Sequence, residues 1–443
     1  MLSRRTFVAL SLRSAALLPA QVFEESYTPN GQRPALLLTP RRLRLLRRER
    51  ERKSQRWQPF EALLAGNAAM PEPGFALALY YQVAGDESAG RRALEFALSP
   101  AADLRQRALV LDWCSPLAAE KQSAQLTASL SQALERPPAS SNIAEARSRA
   151  FAAIAVAGAK PALAEAELRR LVVTWFRGGV VSAIEHGRDA VPRADLYALL
   201  ELLHAVRDNL MIDLRESARA YFRQLPVWDL LSYYPASYPE GGSEYRIPAS
   251  RDGMPDTRLA TLARAADLAL VSYESNALET QFLQGWLMHD RFILHSPFGV
   301  PYEFLWANPY QPGLGYYKAP LAVHDELLGR LFVRESWDDS ATWAGYFDGQ
   351  LQLFENGTST VVAPQDMRSL HIGGTAIEPV AASAWPSFSQ PLDRLYLVGL
   401  KPGRTYALEP DHHELAEERA DPGGIVSLEF PGGFQGSVRI RER

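Results

Sequence analysis

LALYYQVAGDESAGRRALEFAL, Leu77 to Leu98, decides how the first two-thirds of the chain is read. Two apolar runs of helical period stand on either side of a single Gly-Asp. Gly85 can adopt the left-handed conformation that closes a helix, and the Asp86 carboxylate can accept from the free N–H groups that open the next. The stretch is therefore a helix hairpin. Tyr80, Tyr81 and Val83 before the turn, and Ala93, Leu94, Phe96 and Ala97 after it, leave each helix an apolar face that needs a partner. One hairpin cannot cover both faces, so further helices are expected.

They follow. Thr39-Pro40 reads as a cap followed by proline at the first helical position. Helical patterns then recur at about 40–64, 75–84, 86–98, 103–113, 116–135, 142–157, 161–176, 192–208, 213–224, 256–274 and 276–288. Short breaks separate them at Gly85-Asp86, Ser115-Pro116, Pro137-Pro138, Lys160-Pro161, Gly178-Gly179 and Val191-Pro192. From about Leu327 the pattern changes to short runs rich in aromatic and β-branched residues, among them RLFVRESW, ATWAGYFDGQLQLFE, RLYLVGL and GIVSLEFP. Asp348-Gly349, Asn356-Gly357, Pro402-Gly403 and Gly423-Gly424 separate these runs as turn signals, which predicts antiparallel strands of a sandwich. Within LVGLKPGRTYALEP, the spacing of Leu400, Pro402-Gly403 and Tyr406 looks like a tyrosine corner, in which the Tyr hydroxyl ties a turn.

The predicted fold is α+β and multidomain: an (α/α) toroid of helical hairpins over 35–290, an irregular segment over 291–326, and a C-terminal antiparallel β-sandwich over 327–443. At 443 residues, with 47% hydrophobic and 22% charged residues, the chain can bury large cores. A formal net charge of −4 provides no general attraction to nucleic acid or an anionic membrane. The basic cluster Arg41 to Lys53 reads as a solvated helix face. Cys114 is the only cysteine, which excludes an internal disulfide and a cysteine-based metal site. Residues 1–21, MLSRRTFVALSLRSAALLPAQ, place Arg4-Arg5 before an apolar stretch with a small-residue end. They resemble a bacterial twin-arginine export signal, from which a periplasmic or secreted location is expected. No later segment approaches the ~20 apolar residues of a membrane span, so no stable membrane insertion is expected.

Several stretches, in order, resemble the heparinase II/III-like polysaccharide lyases. The opening hairpin, with Tyr81 ahead of Ala84-Gly85-Asp86, is similar to one in that family's toroid. Thr39 to Leu64, Ala108 to Leu130, Ser141 to Gly158 and Leu328 to Gly349 are similar to four further blocks. The resemblance covers roughly 35 to 350 and implies an acidic, uronic-acid-containing polysaccharide as partner and β-elimination as the reaction, with no cofactor and no metal. Such a reaction needs a group that neutralises the C6 carboxylate, a base for the C5 proton and an acid for the leaving oxygen.

Asn142 stands where the family's neutralising Asn stands, and it also reads as a helix N-cap after Ser140-Ser141. Glu185 matches the family's next block. His186 beside it, and Tyr197 further on, stand where that block has a tyrosine pair. Tyr197 continues a leucine face and reads as core. The sandwich lacks the family's Gly-His-x-His-x-Asp run: Asp348 to Val362 contains no His, and His412-His413 reads as solvated. The region from Ser232 to Tyr317 is dense in Tyr, Pro and Gly and reads as a lip. There Tyr245 is a further proton-transfer candidate, with Tyr234, Tyr238, Arg246, Tyr302 and Trp306 as sugar contacts, since aromatic faces stack on sugars and arginine pairs with carboxylates. Packing of the same tyrosines between domains is an equal reading. Two alternatives to the lyase stay open, a non-catalytic carbohydrate-binding relative and a toroid glycoside hydrolase with Asp86, Asp112, Glu185 and Asp189 as candidate carboxylates.

Overall fold

The computed structural model describes residues 25–289, 293–380, 385–411 and 414–443. The twin-arginine segment and His412-His413 lie outside the described residues. Helices come first: α1 Pro40–Glu51, α2 Trp57–Ala65, α3 Pro73–Ala84, α4 Glu87–Leu98, α5 Leu104–Cys114, α6 Glu120–Glu135, α7 Ile143–Val156, α8 Pro161–Arg169, α9 Ser182–Glu185, α10 Leu196–Leu210 and α11 Arg219–Leu231. A hairpin, β1 Tyr233–Glu240 and β2 Ser243–Pro248, precedes α12 Thr257–Tyr273, α13 Leu278–His289 and α14 Val300–Trp306.

The caps follow the chemistry of the sequence. Thr39 accepts from Arg42 N–H at 3.2 Å. Gly85 closes α3 at φ 74°, and Asp86 opens α4 by accepting from Ser88 and Ala89 N–H. Gly178-Gly179 behaves otherwise. The chain stays helical there, in a wide π-type run from Arg170 to Val181 that leads straight into α9. A Cβ on Gly178 would meet the carbonyl of Val173, five residues back, at 3.5 Å, which is ordinary contact, so the glycines sit in the wide turn without breaking it.

The helices form two layers. In the inner one α3 packs on α5, α5 on α7, α7 on α10 and α10 on α12, while α4, α6 and α8 lie outside. Burial explains the division. Every residue of α10 except Arg207 and Asp208 is buried, whereas α4 buries only the stripe Ala89, Gly90, Ala93, Leu94 and Ala97. Helix α2 packs between this inner layer, the ring wall, and α14: Trp57 of α2 stacks on Tyr80 of α3 at 5.4 Å and meets Phe304 of α14 at 5.3 Å.

Asp112 of α5 ties the N-terminal segment to this wall. Its Oδ2 accepts from Ala35 and Leu36 N–H at 2.8 Å each, and Oδ1 is buried with no hydrogen-bond partner among the described residues. Burial pushes the carboxyl up from 3.8 to about 6, against the opposing pull of the two N–H donors and Arg33. The folded state therefore holds the proton more tightly than the unfolded chain, and stability from this group is present at low pH and falls as pH rises through that window. The loss amounts to about 3 kcal/mol at 1.36 kcal/mol per pK unit. Asp112→Asn keeps an acceptor and removes the titration, so its denaturation midpoint should lack the wild-type decline between about pH 4 and 6; an unchanged slope would assign the decline elsewhere.

Strands follow. β3 Ala322–Asp325, β4 Arg330–Arg334, β5 Trp343–Phe347, β6 Gln350–Glu355 and β7 Thr358–Val362 form an antiparallel meander. The second sheet has the order β12-β11-β13-β10-β9-β8, from β8 Leu370–Ile372, β9 Thr375–Pro379, β10 Ser387–Val398, β11 Thr405–Pro410, β12 Ala416–Arg419 and β13 Val426–Glu442. It is antiparallel except for β9 beside β10. The central strands of the first sheet, β4 and β5, are buried on both faces. Ala344 and Tyr346 of β5 pack with Ile377 and Val398 of the second sheet, whereas Trp343 and Phe347 join the core of the helical layers. The tyrosine corner forms as the spacing predicts, with Lys401 N–H donating to the Tyr406 hydroxyl at 3.1 Å.

Two stretches depart from expectation. Residues 291–326, read as irregular, carry α14 and β3, and β3 opens the sheet ahead of Leu327. The lip folds as the β1–β2 hairpin, turning at Gly241-Gly242 with φ of 57° and 78°. Among the described residues no helix is long and apolar enough to cross a membrane.

Candidate functional site

The predicted site residues separate into four open places and the buried core. Asn142 caps α7, its side-chain oxygen accepting Glu145 N–H at 2.8 Å. A cavity of about 280 Å³ beside it is lined by Ser140, Ser141, Glu145, Arg170 and Trp175. Tyr245 and Arg246 line a pit with Tyr233, Glu244, Arg264 and Trp286, whose free space of about 20 Å³ has room for a water but not a sugar. Arg246 donates to the Pro235 carbonyl and, at 3.1 Å, to Asp339. Tyr238 pairs across the hairpin with Tyr245, is 39% exposed, and lines a separate hollow with Glu240 and Asp252. Tyr234 is not a sugar platform. It is buried between the helical layers and the first sheet, donating to Gln352 Oε1 at 2.8 Å and stacking on Phe354.

Tyr302 and Trp306 are likewise corrected as surface contacts: each is 2% exposed. They belong to α14, all seven of whose residues are buried. From α14, Trp306 donates to the Tyr197 hydroxyl at 3.0 Å and lies under the Arg42 guanidinium at 4.2 Å, and Tyr302 donates to Glu72. Tyr197 in turn donates to Glu201, which also receives Arg105 and Arg147. Burial alone would raise the Glu201 carboxyl; Arg105 and Arg147 hold it below its ordinary value. His204, against the Trp306 ring, is pushed well below its ordinary value by burial and by Arg42 and Arg207. Helix α14 thus fills the concavity of the inner ring, and its Tyr302, Glu303 and Trp306 side chains all hydrogen-bond to groups around it.

Glu185 and His186 reach the one large groove of the four places. It runs along the seam between helices and sandwich, encloses about 740 Å³, and is lined also by His324, Glu326, Glu418, Arg419 and Asp421. Close backbone approaches build it. Gly187 has φ of 70°, and a Cβ there would lie 2.4 Å from the Pro422 ring; a Cβ on Gly329 would lie 1.9 Å from Gly423 N. His324 Nε2 stands 2.7 Å from Asp421 Oδ2, while Asp421 Oδ1 accepts Ile425 N–H at 2.8 Å. His186 Nδ1 is 2.6 Å from the Ser182 carbonyl.

Neither a family model nor a curated protein matches the chain. Among solved structures, one described as a glycoside hydrolase aligns at 10% identity with a TM-score of 0.31, over 84% of this chain and 71% of that one. A TM-score of 0.31 is too low to carry a conclusion about fold or activity.

The groove's chemistry follows from its hydrogen-bond partners. A carboxylate and a carbonyl only accept, so in the neutral rings the hydrogens sit on His324 Nε2 and His186 Nδ1. His186 Nε2 is left as a lone pair and proton acceptor, with Glu185 beside it. Among the described residues no group of three or more His, Cys, Asp or Glu is placed to hold a metal ion. Sequence reading missed His324 and Asp421. They are 97 residues apart, and no local motif links a strand histidine to a turn aspartate.

Proposed function

We propose that the chain is an exported carbohydrate-binding protein, built as helical ring plus sandwich like the lyases its sequence resembles, that holds a sugar chain in the seam groove without β-elimination. One observation carries this reading. The neutraliser and proton-transfer groups that elimination requires around one sugar unit are in three separate places: Asn142 caps α7, Tyr245 lines the small pit and His186 lines the seam groove. Elimination needs these groups within hydrogen-bond reach of the same substrate atoms. The filled concavity supports it further, since no sugar chain can enter where α14 lies.

A catalytic reading survives in one place. His186 Nε2 as base and Glu185 as acid line the groove together, and an acidic-glycan lyase or a hydrolase would have to work from there. The experiment incubates the full chain with acidic, neutral and amino-sugar polysaccharides and measures both binding and product. The expected result is saturable binding with no new chain ends. Unsaturated ends that vanish in His186→Ala would overturn the proposal in favour of a lyase, and saturated reducing ends that vanish in Glu185→Gln would do so in favour of a hydrolase. Tyr245→Ala is expected to leave binding unchanged, because its pit admits no sugar.

A further inference from the structure

Hydrogen-bond polarity along the seam groove is one-sided. Glu185, Glu326 and Glu418 are exposed carboxylates on its wall, and none has a Lys or Arg within ion-pair distance among the described residues. Among the described residues of the lining Arg419 is the one permanent cation, and its Nε donates to the Gly403 carbonyl at 2.9 Å. Solvated carboxylates alone would say nothing about a ligand. His324 adds the second observation. Its side chain is 9% exposed, and Nδ1 is buried without a hydrogen-bond partner, 4.0 Å from Glu326 Oε1 on the groove wall. Asp421 pins the hydrogen of the neutral ring to Nε2, so Nδ1 is a buried lone pair lacking a donor, a costly state that a ligand N–H would relieve. The exposed edge Nε2 of His186 is an acceptor for the same reason.

We propose that the seam groove selects a cationic amino sugar, one carrying free ammonium groups, over neutral and uronic-acid sugars. This rests on the glycan-binding reading above and names its substrate class. Three carboxylates attract an ammonium-bearing chain and repel a uronate chain. The ammonium and hydroxyl hydrogens of such a sugar match a wall of acceptors, with exposed Glu326 placed to receive one ammonium and the buried His324 Nδ1 behind it reached only where the Glu326 side chain gives way. It also reverses the sign of the substrate implied by the sequence resemblance.

The test is calorimetric titration of the full chain with three oligosaccharides of equal length: glucosamine, N-acetylglucosamine and galacturonate oligomers, at low and high salt. Glucosamine oligomers are expected to bind about tenfold more tightly than the N-acetylated ones, from several exposed charge pairs of modest individual strength, with the advantage fading at high salt. Galacturonate oligomers should bind weakest. The double variant Glu326→Gln, Glu418→Gln, both at exposed positions, should fold as wild type by thermal melting and lose most of that tenfold preference. Equal binding of all three sugars, tighter binding of galacturonate, or a preference untouched by the double variant would overturn the charge selection and leave glycan binding standing. Binding of none of them would remove both.

Discussion

Glu201→Ala should lower the unfolding free energy by about 3–5 kcal/mol, the range for breaking a buried ion pair by removing one partner. Glu201 is 0% exposed and accepts from four donors on three side chains: Arg105 Nε at 2.9 Å, Arg105 Nη2 at 2.6 Å, Arg147 and the Tyr197 hydroxyl. Without it, Arg105, itself buried against Phe75 and Tyr302, keeps Glu72 as its remaining carboxylate. Arg105 belongs to α5, Arg147 to α7 and Glu201 to α10, so the carboxylate ties three neighbours of the inner ring, and Arg105 extends the tie to Glu72 just ahead of α3. Denaturant titration reads the loss as a lower midpoint. A loss below about 1 kcal/mol, the scale of a solvated surface pair, would mean that water reaches the ring centre and that α14 does not seal it.

Trp343→Ala is the second large effect, also about 3–5 kcal/mol for deleting a buried aromatic. The indole is 0% exposed, donates to the Leu231 carbonyl at 2.8 Å, and packs against Tyr234 and Phe332. Gly345 makes room for it, since a Cβ there would lie 2.4 Å from the ring. These contacts join the end of α11 to the face of the first sheet that looks toward the helices. The cavity therefore opens between the two halves of the chain and not within either one. Limited proteolysis should cut the variant between α14 and β4 faster than wild type, alongside the lower unfolding midpoint. Equal cleavage rates would locate the weakness inside the sheet.

The helices were legible because their signals are local. Gly85, Asp86, Thr39 and the prolines act within one turn of where they stand, and the 3.6-residue period shows which face is buried. The aromatic run ATWAGYF ending at Asp348-Gly349 and the Leu400 to Tyr406 spacing worked for the same reason. Gly178-Gly179 misled because glycine marks a place where a helix can end, while packing of Leu171, Val172 and Phe176 decides whether it does. The lip hairpin was missed although Gly241-Gly242 is a hairpin signal, because Tyr and Pro density suggested irregular chain.

The candidate site was half legible. Glu185 and His186 are adjacent, so both reach the groove together, but Asp421 meets His324 through a turn that only the sandwich folds back. Tyr302 and Trp306 had the composition of a sugar platform and became the plug of the ring, since an aromatic residue is equally suited to a sugar and to a core.

By itself the sequence determined most of the helices ahead of α14 and the strands after Leu327, and that each helix needed a partner, because capping, turn chemistry and periodicity are encoded within a few residues of each other. Only the tertiary structure decided that α14 enters the ring, that Asn142, His186 and Tyr245 part company, and that the open groove lies at the seam. Those outcomes depend on which apolar faces find one another across a hundred residues or more, and such pairings are chosen by burial and shape over the whole chain rather than by any local pattern.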